Sequence, residues 1–169
     1  MDAREHEAEL ELYLLRHAHA GDPQAWDGPD SERPLSPKGR RQAQRLGAFL
    51  AERAFAPDAI VTSPKLRAKQ TAEIVADALG IAVSVDDRLA GELDEEVVAA
   101  LAEAVGGTSV MLVGHDPDFS DLAASLSGCE YLPLKKGTLA RIDMTLPVQA
   151  GGGILRWLLP PDAVADRGG

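Results

Sequence analysis

Three stretches of this chain carry side chains whose types and spacing suit a phosphoryl group. Arg16 and His17 stand together after an apolar run, with His19 two residues on. Arg67 lies just beyond Ser63-Pro64, and His115 follows Val113-Gly114. A guanidinium presents a planar fork of donors that can meet two phosphoryl oxygens at once, which an ammonium cannot. An imidazole can supply a nitrogen lone pair to attack phosphorus. Two of each would make a pocket for a dianion, with His17 as nucleophile and Arg16 as its clamp. An Arg-His pair alone is commonly structural; Arg67 and His115 at corresponding points of the chain turn the reading toward a site.

Those residues need elements that bring them together. Leu10, Leu12, Tyr13, Leu14 and Leu15 form an apolar run bounded by charge before it and by Gly21, Asp22 and Pro23 after it, which predicts a buried strand. Gly21 to Pro34 is a loop rich in Gly, Pro and Asp. Ser36 as N-cap and Pro37 at the first helical position open a helix to about Arg53, with Ala43, Leu46, Gly47 and Leu50 on its buried face. Asp58–Thr62 is a second strand. Ser63 and Pro64 are expected to start a second helix with Ala68, Thr71, Ala72, Val75 and Leu79 on one face and Gly80 as its stop. Ala82–Val85 is a short third strand. Asp94 caps a third helix with a stripe of Val97, Ala100, Leu101 and Ala104. Ser109–Val113 is a fourth strand, Asp116-Pro117 opens a fourth helix closed near Gly128, and Thr138–Met144 with Gly153–Leu159 reads as a hairpin. This order predicts an α/β fold of three layers: a mostly parallel central sheet of about six strands, an antiparallel edge, and helices on both faces. Parallel strands bring their carboxyl ends to one edge, where ligands of such sheets bind and helix amino ends favour an anion.

The 169 residues are expected to form one domain, with a charged extension at 1–9 and a polar, frayed tail at 160–169. Hydrophobic residues at 45% and charged residues at 26% are ordinary for a soluble globular protein. A net charge of -10 argues against nucleic acid and anionic membranes as partners, so an anionic substrate must find a local positive pocket. One cysteine, Cys129, excludes a disulfide within the chain and is read as a small buried hydrophobe. No apolar run approaches 18 residues and the first nine residues do not form a secretory signal, so the cytoplasm is the expected location. His6 belongs to the charged extension and is read as inert.

Four motifs together resemble the histidine phosphatase superfamily: Arg16-His17-Ala18 after LYLL, RPLSPKGRRQA at 33–43, TSPKLRAKQTAEI at 62–74 and VMLVGHDP at 110–117. The resemblance runs from about Leu10 to Met144, and it is nearest to the small SixA-like branch of protein phosphohistidine phosphatases. It implies His17 as the phosphate-accepting nucleophile, Arg16, Arg67 and His115 as the rest of the phosphate pocket, and no metal or organic cofactor. Two departures stand out. Ala18 occupies the position where the family most often has Gly. Larger members place a carboxylate proton donor in a long insertion after the third strand, whereas here only Asp86–Asp94 is available, with Glu92 as the nearest candidate.

The function expected is therefore hydrolysis through a covalent phosphohistidine, with phosphohistidine in a protein as substrate. The alternatives are a small-molecule phosphomonoesterase using the same residues and a catalytically silent phosphate- or phosphoprotein-binding module. His17-x-His19 also has the pattern of zinc hydrolases on β/α barrels, but such barrels take about 250 residues, and no convincing further ligands accompany it. His19 is read as a pocket-rim residue and Arg33 as a candidate substrate contact from the loop. Trp26 is either a substrate contact or loop packing, and Lys135-Lys136 reads as a solvated turn.

Overall fold

Residues 9–164 are described by the computed structural model, and β1 (Leu10–Arg16) lies at the interior of a six-stranded sheet. Side chains of a strand alternate between faces. Accordingly Leu10, Leu12 and Leu14 enter one core cluster while Tyr13 and Leu15 enter another. Both faces of β1 are thus buried, which is why its sequence reads as a continuous apolar run rather than an alternating one.

The other strands are β2 (Ala59–Thr62), β3 (Val83–Val85), β4 (Ser109–Gly114), β5 (Leu139–Met144) and β6 (Gly153–Leu159), in the spatial order β3-β2-β4-β1-β5-β6. The first four in that order are parallel; β5 runs antiparallel to β1, and β6 antiparallel to β5. Helices α1 (Pro37–Glu52) and α2 (Leu66–Leu79) pack on the Tyr13 face through Leu46, Leu50, Ala68, Ala72 and Val75. Helices α3 (Glu95–Val105) and α4 (Asp118–Ser127) cover the opposite face through Val98, Leu101, Phe119, Leu122 and Leu126. The three-layer α/β fold expected from the order of elements is the one formed.

Local chemistry sets several boundaries. The Ser36 side chain accepts the Gly39 N–H at 3.0 Å and so caps α1. Asp94 likewise accepts the Val97 N–H at 3.0 Å at the start of α3, which Gly106 ends at φ 72°. Gly39 is also a point of close approach: a Cβ there would lie 1.9 Å from the His19 carbonyl oxygen. Only a glycine lets α1 seat this tightly against the segment that follows β1.

The structure corrects several expectations. Helix α2 begins at Leu66, not at Ser63-Pro64, because the Ser63 hydroxyl is engaged by the Lys65 N–H and by His115 rather than capping a turn of helix. Of the stripe assigned to α3, Leu101 is fully buried but Ala104 is exposed, and Val98 takes the second buried place. Cys129 is exposed, since it follows the left-handed Gly128 that ends α4. The tail is not frayed where it is described: Pro161–Ala163 forms a turn of 3-10 helix and Val164 is buried. At the other end Glu9 is tied to the sheet by its N–H to the Met144 carbonyl at 3.0 Å. His6 and the rest of the amino-terminal extension, together with residues 165–169, lie outside the described residues.

Replacing a helical glycine with alanine ordinarily favours a helix by up to about 1 kcal/mol. Gly39→Ala should do the reverse, lowering the stability measured by urea denaturation by at least about 1–3 kcal/mol. A neutral or stabilising result would contradict the seating of α1 on His19.

Candidate active site

The register of the central strands builds the site. Arg16 pairs with Gly114 across β1 and β4, and Thr62 pairs with Val113 across β2 and β4. Each ladder continues one step: the His17 N–H donates to the Gly114 carbonyl and the Ser63 N–H to the Val113 carbonyl, both at 3.0 Å. The residues just past three adjacent strand ends are therefore His17, His115 and Ser63. The imidazole centroids of His17 and His115 are 5.3 Å apart. Arg67 joins them from the first turn of α2, where backbone N–H groups and the helix dipole also favour negative charge.

His17 is only 5% exposed, and its Nδ1 lies 2.7 Å from the Ala18 carbonyl. A carbonyl only accepts, so Nδ1 carries the hydrogen, and the neutral ring keeps its lone pair on Nε2. Burial first, and then the guanidiniums of Arg67 and Arg16, lower the His17 pKa from 6.5 to about 3, so the ring is neutral. His115 is lowered to about 3 by burial and by the neighbouring His17 and Arg67. Its Nε2 is 2.7 Å from the Ser63 hydroxyl.

Each clustered guanidinium is held by a carboxylate and a carbonyl. Arg67 donates to Asp30 Oδ2 at 3.0 Å and to the Asp30 carbonyl at 2.9 Å. Arg16 donates to the Leu134 carbonyl at 2.6 Å and lies 3.3 Å from Asp116 Oδ2. Asp116 is itself fixed by the Ser120 N–H and hydroxyl at 2.9 and 2.6 Å. Thr71 links the elements, accepting the Ala18 N–H at 3.1 Å and donating to the Arg67 carbonyl at 2.8 Å. Among the described residues, the buried side-chain polar atoms left without a partner are Arg16 Nε, Arg67 Nε, His115 Nδ1 and Thr138 Oγ1. Buried polar atoms are nearly always satisfied, and an orphan costs about 1–3 kcal/mol. Three of these four lie on the clustered cations and imidazoles, the pattern expected of a site made for an anion with several acceptor oxygens.

The remaining candidates fall elsewhere. Arg33 is buried and spends its guanidinium on the Ala20 carbonyl at 3.0 Å and on Asp30 at 3.4 Å, tying down its own loop. His19 has Nδ1 2.6 Å from the Ser36 hydroxyl, so it braces the start of α1. Trp26 donates from Nε1 to the Pro29 carbonyl at 2.9 Å and lies over Gly28, which is loop packing. Glu92 is exposed, makes no hydrogen bond or ion pair among the described residues, and acts electrostatically on Asp118. Lys135 and Lys136 do not share one environment: Lys135 is exposed and 3.6 Å from Asp162, while Lys136 is half-buried. Sequence reasoning missed Asp30, Ser63 and Asp116 as supports of the cluster. Asp116 had a signal, since it adjoins His115, but it read only as a helix opener. Asp30 had none, because nothing local places a loop aspartate against α2. No three His, Cys, Asp or Glu side chains of the described residues group as metal ligands, and no described helix is long and apolar enough to cross a membrane.

Comparison with known proteins adds relatives to this geometry. A profile of the histidine phosphatase superfamily (branch 1) matches residues 12–94. A protein of Picosynechococcus sp. is 38% identical over 138 residues, covering 75% of this chain and 81% of its own length. Phosphohistidine phosphatase SixA of Escherichia coli is 29% identical over 157 residues, 90% of this chain and 94% of that protein. The solved structure of the protein histidine phosphatase SixA complexed with tungstate superposes with a TM-score of 0.79 at 26% identity, over 92% of this chain and all of that one. "Probable phosphoglycerate mutase GpmB" of Klebsiella pneumoniae is 35% identical, but the match covers only 52% of its length.

Holding two imidazoles neutral has a consequence for stability. Unfolded histidines bind protons below about pH 6.5, whereas these two do so only near pH 3 in the fold. Acid therefore favours the unfolded chain: stability is unaffected above pH 7 and falls as pH drops from about 6.5 toward 3. By pH 5 the loss should be roughly 2 kcal/mol for each imidazole. Urea denaturation at pH 7.5 and 5.0 measures it, and His17→Asn should flatten the dependence; an equally steep slope in that variant would contradict a buried neutral His17.

Proposed function

The chain belongs to the histidine phosphatase superfamily and is a phosphatase, and from that premise we propose that it hydrolyses phosphohistidine in proteins through a covalent phosphohistidine on His17. The observation that carries the reading is the state of His17: buried, neutral, and bonded through Nδ1 so that Nε2 keeps its lone pair. In the first step Nε2 forms a bond to phosphorus as the bond to the leaving group breaks, and the leaving nitrogen departs as a protonated, neutral imidazole. In the second, water attacks phosphorus, the bond to Nε2 breaks, and inorganic phosphate leaves with the imidazole restored. Arg16, Arg67 and His115 hold the phosphoryl oxygens through both steps. Phosphoryl transfer needs mostly positioning and charge stabilisation, which a preorganised set of this kind supplies.

The leaving group supports the substrate class. An alkoxide is strongly basic and must be protonated as it leaves a phosphate ester. The nitrogen of a phosphoramidate takes its proton from solvent and needs no enzyme acid. Glu92, the nearest candidate within Asp86–Asp94, is exposed and makes no hydrogen bond or ion pair among the described residues, and the whole connection from β3 to α3 is short, with a single 3-10 turn at Asp87–Ala90. A connection this short adds no long insertion after β3, which suits a phosphorylated side chain presented on a protein surface.

One observation favours the small-molecule phosphomonoesterase as a second reading. Asp118 opens α4 two residues after Asp116, and its carboxyl titrates above the usual range because of burial and of the charges of Asp121, Glu92 and Asp116. A carboxyl that holds its proton more tightly than usual, three residues past His115, is suited to protonate an alkoxide.

Two measurements test these readings. His17→Ala should lower turnover by roughly 10⁴-fold, and quenching the wild type without acid should trap label on His17; label elsewhere, or near-normal turnover in the variant, rejects His17 as nucleophile, and no turnover by the wild type favours a silent binding module. Phosphoramidate or phosphohistidine should be cleaved at least tenfold faster than an alkyl phosphate, with Glu92→Gln and Asp118→Asn leaving that cleavage within about threefold. If esters are the better substrates and either variant abolishes their turnover, the small-molecule reading replaces this one.

A further inference from the structure

Lys136 is a cation without a counterion in a crowd of cations. It is half-buried, and among the described residues it has neither a hydrogen bond nor an ion pair. It lies within electrostatic reach of Arg16, Arg33 and Arg67, and its charge is felt at both His17 and His19. Its position is fixed from the backbone. The next residue, Gly137, donates its N–H to the carbonyls of Arg16 and His17 at 3.1 and 2.9 Å, and the Arg16 N–H returns to Thr138 at 3.1 Å. The turn depends on Gly137, whose φ of 82° is one that side chains disfavour. The segment carrying Lys136 is thereby stitched to the Arg16-His17 dipeptide itself.

The charges of this group do not cancel. Arg16 faces Asp116, and Arg67 and Arg33 share Asp30, which leaves one positive charge of that group unmatched. Lys136 adds to the excess, and Lys65 is felt at His115 as well. An excess of positive charge at this edge is complementary to a phosphoryl dianion. A lysine placed against like charges is costly in the empty protein, and its burial adds to the cost; the neighbouring Lys135 avoids both by lying in solvent beside Asp162. Such local conflicts are characteristic of functional positions rather than of structural ones.

We propose that Lys136 is a further substrate-binding residue, whose ammonium swings onto the phosphoryl dianion and completes its neutralisation beside Arg16 and Arg67. This rests on the reading of the cluster as a phosphoryl pocket but not on the identity of the leaving group. A lysine suits the task, because its flexible stem lets a point charge reach an oxygen that the planar forks of the arginines leave free.

Binding of inorganic phosphate and of vanadate, measured by calorimetry together with thermal melting, tests this without turnover. Lys136→Gln should weaken both ligands by about tenfold or more, the loss of one charge-assisted contact, while Lys136→Arg, which keeps the charge but not the reach of the flexible stem, weakens them less than Lys136→Gln does. In the absence of ligand Lys136→Gln should melt at the same or a higher temperature than wild type, because it removes repulsion, and it should gain less from added phosphate. Lys135→Gln should change neither affinity nor melting appreciably. Affinity of Lys136→Gln within twofold of wild type, or a fall in its ligand-free melting temperature with unchanged binding, overturns the proposal and makes Lys136 structural. If the wild type fails to cleave phosphohistidine while Lys136→Gln still loses phosphate affinity, the substrate reading fails and this one stands.

Discussion

The pairing of Arg16 with Gly114 across two parallel strands is the contact on which the site depends, together with the 3.0 Å hydrogen bond from the His17 N–H to the Gly114 carbonyl that prolongs it. A slip of one residue in this register would send every side chain of β1 to the other face. Leu12 and Leu14 would exchange cores with Tyr13 and Leu15, and the imidazoles of His17 and His115 would no longer stand 5.3 Å apart. Because both faces of β1 are buried, the two cores enforce that register together. The geometry of the cluster is a by-product of hydrophobic packing on either side of one strand, a rigid foundation for groups aligned in advance.

On this frame sits a problem of charge. The protein as a whole is strongly acidic, yet the strand ends gather guanidiniums, an ammonium and two imidazoles in a small volume. Asp30 and Asp116 limit the repulsion and aim the arginines, and burial keeps the imidazoles from adding charge of their own. Arg67 and Arg16 reinforce what burial begins, holding His17 unprotonated. Burial and clustered positive charge thus act in the same direction on that imidazole.

Much of this was legible in the sequence, and the gaps have physical reasons. A doubly buried strand, an S-P helix start at Ser36 and a glycine-rich turn before β6 are local signals, and they place β1, α1 and the hairpin. The same S-P signal misled at Ser63, where a tertiary partner, His115, competes for the hydroxyl and delays α2 to Leu66. The face of α3 was misjudged because small alanines fit a helix surface as easily as its core, so packing rather than periodicity chose Val98 over Ala104. That Arg16, His17, Arg67 and His115 gather at one edge was legible because strand ends converge in any parallel sheet. That Asp30 and the half-buried Lys136 lie near them was not, since their positions are set by how two irregular segments lie over the sheet edge, and irregular segments carry no period to read.

Asp30 also gives the loop before α1 a thermodynamic role. One aspartate satisfies Arg67 with both its carbonyl and its carboxylate while the same carboxylate receives Arg33, which in turn grips Ala20. The loop cannot lift without uncovering two N–H groups of an arginine in the pocket. The loop and the Arg67 guanidinium therefore fix one another: a change that frees Arg33 from Ala20 also loosens the aspartate that aims Arg67. A surface segment of ordinary appearance in this way sets where one charged group of the cluster stands.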